Sequence, residues 1–191
     1  MNAAAAILFL QLSLAWASGF WDSTPPEQWT PEQVREIFED SPWSRTLRSR
    51  GEPIQVHLAS SLPMRQAEQR QRVMSKRPGA NSATFDDYMA LVEEGKYIVL
   101  AIRLKDTESL SDGVLVSRMQ KDSRMRADKK SFDLVTYFPP SPGDPYLRLV
   151  FPRIPVVKSV DFTFVIPGAT DPYRQVSFFA KDMMYRGKLE Y

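Results

Sequence analysis

The chain has 191 residues, with 25 Lys and Arg against 23 Asp and Glu, a single histidine and no cysteine. A net charge of +2 does not point to nucleic acid as a partner. The missing thiols exclude disulfides, thiolate metal sites, iron–sulfur clusters and cysteine nucleophiles. With 43% hydrophobic and 12% aromatic residues, the sequence reads as globular and not disordered.

The N-terminus is apolar from Ala3 to Trp16 except at Gln11 and Ser13, and Ala15-Trp16-Ala17 supplies a small-x-small cleavage pattern. This is the layout of a secretory signal over residues 1–17, although no Lys or Arg precedes the apolar run. The run is shorter than the roughly 20 residues that cross a bilayer. No cysteine follows it to carry a lipid. The expectation is an exported protein, periplasmic or secreted, with no transmembrane anchor once the signal is removed. A chain of this length hides roughly 70% of its unfolded surface, so packing alone can supply its core.

Residues 18–50 form a tryptophan-rich segment, with Trp21, Trp29 and Trp43, that is expected to pack as short helices on a β-rich domain spanning 51–191. Thr30-Pro31-Glu32-Gln33-Val34 carries a helix start: a hydroxyl cap, a proline in the first turn and a glutamine placed for a capping box. Val34, Ile37 and Phe38 form its buried stripe, Trp29 and Val34 sit where a hydrophobic staple would form, and Ser41-Pro42 ends it. Ile54, Val56 and Leu58 alternate with Gln55 and His57, which predicts a half-exposed strand with His57 on its polar side. Residues 63–77 predict a thin-striped helix on Met64, Ala67, Gln71 and Met74, surrounded by Arg65, Arg70, Arg72, Lys76 and Arg77 with Glu68 as its only acid. A second short helix is expected over 84–94, with Phe85, Tyr88, Met89 and Val92 on its apolar face.

From Tyr97 the periodicity changes to two. Tyr97–Leu104 is nearly all apolar and reads as a central strand covered on both faces. Val114–Met119, Phe132–Phe138, Tyr146–Phe151, Val160–Ile166, Gln175–Ala180 and Tyr185–Tyr191 are further predicted strands, separated by Pro- and Gly-containing turns. The fold class expected is α+β, mainly β: an antiparallel β-sandwich-like domain with short N-terminal helices.

The sequence holds no Gly-x-Ser-x-Gly elbow, no phosphate-cradling glycine loop and no EF-hand spacing. A serine hydrolase would have to use His57 as its base. Carboxylate-only hydrolysis needs just two acids placed in space, and Asp86-Asp87 and Glu93-Glu94 are the pairs closest in sequence. No catalytic, metal or cofactor residue is assigned and no cofactor is expected. Two sets of binding candidates remain. Trp21 and Trp43 could contact a ligand by stacking. Arg65, Arg70, Arg72, Lys76 and Arg77 could offer a basic face to an anionic surface.

Three stretches carry a resemblance: Phe20-Trp21 with Trp29-Thr30 and Ser41-Pro42-Trp43; Ser61-Leu62-Pro63-Met64-Arg65-Gln66-Ala67; and Lys181-Asp182-Met183-Met184-Tyr185-Arg186-Gly187-Lys188-Leu189-Glu190. Together they resemble a group of exported soil-bacterial hypothetical proteins. The resemblance implies a single exported domain whose C-terminal strand belongs to the fold, and it implies no catalytic residue. The expected function is a non-enzymatic exported binding or envelope-associated module with a protein or glycan partner. The alternative is a carboxylate-dependent hydrolase acting on polysaccharide.

Overall fold

The computed structural model describes residues 19–48, 53–75, 83–105, 107–156 and 158–191. The segment read as an export signal lies outside these residues, as do Lys76 and Arg77. The fold is α+β, with its strands in antiparallel sheets.

Two short turns of helix, α1 (Phe20–Ser23) and a 3-10 turn at Pro26–Gln28, lead into α2 (Pro31–Glu39). The capping box forms as the sequence predicts. Gln33 N donates to Thr30 Oγ1 at 3.2 Å, and Thr30 N donates to Gln33 Oε1 at 2.9 Å. These bonds satisfy two amides that the first helical turn leaves without partners. Thr30→Ala is expected to lower stability by about 1 kcal/mol, measurable by urea denaturation.

Strands β1 (Ser44–Leu47), β2 (Ile54–Leu58), β3 (Tyr97–Arg103), β6 (Thr136–Phe138) and β7 (Tyr146–Pro152) form a five-stranded sheet in the order β1-β2-β3-β7-β6. Strands β4 (Arg124–Ala127), β5 (Lys130–Asp133), β8 (Ser159–Val165) and β9 (Tyr173–Phe179) form a four-stranded sheet in the order β5-β4-β8-β9. The hairpin β10 (Met184–Tyr185) and β11 (Lys188–Leu189) closes the chain, turning through Arg186 and Gly187 at φ 48° and 77°. Two consecutive positive φ values suit a tight two-residue hairpin turn, and Gly187 adopts its value without a Cβ penalty.

Alternation along the strands sorts the side chains into layers. Leu58, Leu100, Leu149 and Phe151 face the four-stranded sheet, where Phe162 and Phe178 meet them; the Phe151 and Phe162 rings are 5.4 Å apart. On the other face Val99, Ala101, Tyr146 and Val150 pack against Phe85, Tyr88, Met89 and Val92 of α4 (Ala83–Glu93). The five-stranded sheet is therefore covered on both sides, which accounts for the near-continuous apolar run of β3. Helix α3 (Leu62–Ser75) buries Met64 and Ala67 in the sandwich core together with Trp29, Val34 and Ile37.

Three strand expectations are corrected. Tyr185–Tyr191 is not one strand, because the chain turns at Arg186 and Gly187 and the segment is shared between β10 and β11. Val114–Met119 is not a strand but part of α5 (Gly113–Asp122). Asp112 Oδ1 accepts from Val114 N at 2.8 Å and caps that helix, leaving Val114 78% exposed while Met119 is buried. A cap and a helical stripe override the β-branched alternation there. Phe132–Phe138 is not one strand either, because the chain leaves the four-stranded sheet at Asp133 and enters the five-stranded sheet at Thr136.

Candidate functional site

The one histidine does not lie on a solvent-facing strand surface. His57 is 1% exposed and sits on the helix-covered face of the five-stranded sheet. Register places His57 beside Ala101 on β3, and Ala101 beside Arg148 on β7. The methyl group of Ala101 leaves room between its two long neighbours. Glu68 reaches across from α3 to both of these neighbours. Its Oε1 accepts from His57 Nε2 at 3.0 Å and its Oε2 accepts from Arg148 Nη2 at 3.1 Å. Arg148 Nη1 donates to Asp144 Oδ2 at 2.8 Å, and Arg72 Nη2 lies 3.9 Å from the same oxygen.

Two carboxylates, two guanidiniums and a neutral imidazole thus sum to no net charge, which lets the group lie in the interior. Rings enclose it. Phe38 and Tyr146 stand 5.3 and 4.9 Å from the imidazole. Tyr88 lies 4.3 Å from the Arg148 guanidinium carbon, and Phe85 lies 3.3 Å from that of Arg72. Arg148 Nε has no hydrogen-bond partner, so the face of Tyr88 takes part of that charge.

The protonation states follow from this enclosure. Burial pushes the His57 imidazole below its ordinary value and outweighs the pull of Glu68. The ring is therefore neutral and carries its proton on Nε2, where the carboxylate accepts it. Burial alone would raise Glu68, but the charge of Arg148 and the hydrogen bond from His57 hold it below the ordinary carboxylate value. Burial pushes the Tyr146 phenol up to about 12 and the Tyr88 phenol well above its ordinary value, so both stay protonated. A base whose ring is walled in and whose Nε2 is committed to a partner cannot meet a substrate. The cluster pins α3 to the sheet. Ala101→Val would add two methyl groups between His57 and Arg148, the two residues that the Glu68 carboxylate bridges. The expected cost is about 1–3 kcal/mol in urea denaturation, as for other overpacked interiors.

Two predicted binding residues change role. Trp43 is fully buried and its Nε1 donates to Glu190 O at 2.8 Å, so no ligand reaches it. Trp21 packs edge-on against Trp43 at 5.9 Å but also lines a surface cleft. The stretch containing Arg65, Arg70 and Arg72 is not an open basic face. Arg70 Nε donates to Trp29 O at 3.0 Å, Arg72 stacks on Phe85 near Asp144, and Arg65 is half-buried. Asp86, Asp87, Glu93 and Glu94 stay exposed on or beside α4, and Glu94 pairs with Lys96 at 3.1 Å.

The Trp21 cleft encloses about 590 Å³ between the N-terminal segment and the turn after β9. Asp22, Asp40 and Asp182 bring three carboxylates to it, and Arg45 and Lys181 bring two positive charges. Asp22 Oδ1 accepts from Arg186 N at 2.8 Å, whereas Asp182 Oδ1 is shielded from solvent with no hydrogen-bond partner. Arg45 Nη1 is tied to the carbonyls of Ser41, Pro42 and Ser44. Sequence reasoning missed this grouping because its residues are separated by more than a hundred positions.

Compared with protein families, curated proteins and solved structures, the chain matches none. Among the described residues no group of three or more His, Asp or Glu side chains could hold a metal ion, and no helix is long and apolar enough to cross a membrane.

Proposed function

We propose that this chain is an exported, non-catalytic binding module of the bacterial envelope, and that a glycan occupies the cleft bounded by Trp21, Asp22, Asp40, Arg45, Lys181 and Asp182. One contrast carries the reading. The side chains best suited to catalysis, His57 and Glu68, are sealed inside at 1% and 3% exposure, while opposed charges and an indole gather around a cleft of about 590 Å³. A concave site with a few convergent polar groups, walled in part by the nearly buried Trp21 indole, suits a polyhydroxylated ligand. The test is a thermal-shift titration of the purified chain with cell-wall glycans and plant polysaccharides. A ligand at 100 times its Kd adds about 2.7 kcal/mol to stability. The shift should disappear in an Asp40→Asn/Lys181→Gln double variant. No shift with any glycan, or one that survives the double substitution, overturns the assignment.

A second reading attaches to the same cleft. Three carboxylates beside an indole also suit a carboxylate-dependent hydrolase, in which one acid protonates the leaving oxygen and a second activates water or attacks. Release of reducing ends from a polysaccharide, abolished by Asp182→Asn, would favour it over simple binding.

A further inference from the structure

A second cleft, sharing no lining residue with the Trp21 site, encloses about 430 Å³ between α2, α3 and the ends of β2 and β3. That volume is within the range of small-ligand sites. Its chemistry is two-sided. Val34, Phe38, Met74 and Tyr146 form an apolar floor; three of them are nearly buried, and Met74 is half-buried at the wall. Met74, unbranched and polarizable, adapts to irregular apolar shapes. Arg35 and Arg103, both exposed, stand at the rim. Glu39 supplies the one opposing charge, so the rim carries a net positive charge. Gln55 holds Arg103 in place, its Oε1 accepting from Arg103 Nη1 at 3.2 Å. Planar guanidiniums beside an apolar trough select a planar anion carried on a greasy body.

We propose that this cleft binds a small amphiphilic carboxylate, with Arg35 and Arg103 on the anion and Val34, Phe38, Met74 and Tyr146 around its apolar chain. The inference goes beyond the glycan reading and does not depend on it. Octanoate is the probe, with octanol as the neutral analogue of the same chain and octylammonium as the cation. Isothermal titration of the purified chain should give saturable binding of octanoate. Octanol should bind about tenfold more weakly or worse, because the charge-assisted contact is missing, and octylammonium should not bind. The exposed Arg35→Gln/Arg103→Gln pair should reproduce the octanol result with octanoate, with its thermal transition kept. Gln71→Glu, also exposed and lining the cleft, should weaken octanoate by adding a like charge. Absence of octanoate binding at millimolar concentration, equal binding of octanol, or unchanged affinity in the double variant each overturns the proposal. Glycan shifts at the Trp21 cleft should be the same in the double variant, so the two sites fail separately.

Discussion

Arg148→Met is expected to destabilise the fold by about 3–5 kcal/mol, measured by urea denaturation at neutral pH, because removing one partner of a buried ion pair strands the other charge. Arg148 is 2% exposed and carries both acids of the cluster, with Glu68 at 3.1 Å and Asp144 at 2.8 Å. Methionine fills much of the volume against Tyr88 and Tyr146 but leaves both carboxylates without their main cation. Arg72, at 3.9 Å from Asp144 and 18% exposed, compensates only at one end. Arg148→Lys should recover little, since a single ammonium cannot span both acids as the fork does. If Arg148→Met unfolds within 1 kcal/mol of the parent, the cluster is not what pins α3 to the sheet.

Acidification is expected to weaken the protein starting just below pH 6.5, well above the usual carboxylate range. The unfolded imidazole takes up its proton near 6.5, whereas burial keeps the folded His57 neutral to lower pH. Between those two values the unfolded state binds the extra proton, so stability falls with falling pH by up to about 1.4 kcal/mol per unit. The contribution of His57 is complete above 6.5 and is lost as pH falls through the folded value. Glu68, whose folded value is held below 4.5, adds a second loss of the same sign below pH 4.5. The chain has one histidine, so a loss of stability between pH 6.5 and about 5.5, above the carboxylate range, is assigned to His57. His57→Gln keeps a donor for Glu68 and should flatten stability over that window. A parent protein equally stable at pH 7.5 and 5.5 would place the folded value near 6.5 and contradict the burial argument.

Much of the architecture was readable from local signals. The Thr30–Gln33 capping box, the central strand at Tyr97 and the alternating strands from Tyr146 onward are written in spacing that short-range chemistry dictates. The buried cluster was not, because its members come from α3, β2 and β7 and meet only once the sheet has formed. Two clues to it were nonetheless present. Glu68 is the only acid in a basic helix, and Arg148 interrupts the apolar run Leu147–Phe151. A charge placed alone among apolar residues is costly unless a partner is brought to it, so Arg148 implies a buried acid. Alternation places His57 in solvent because it assumes that one face of a strand is wet, and here Phe38 of α2 and Glu68 of α3 cover the ring. Val114–Met119 failed for a related reason: Asp112-Gly113 starts a helix whose valines point partly to solvent, which alternation cannot tell from a strand. The Trp21 cleft lay beyond any local signal, since Asp22 and Asp182 come together only when the chain ends meet.

That meeting bears on the order of events during synthesis. Trp43 Nε1 closes on Glu190 O across 147 positions, Leu62 N donates to the Glu190 carboxylate, and Arg186 N donates to Asp22. Contacts of such wide separation form late, because the intervening chain must already be in place. The pocket around Trp43 is therefore complete only when the segment around Glu190 has docked. It follows that shortening the chain by a few terminal residues would loosen its opposite end.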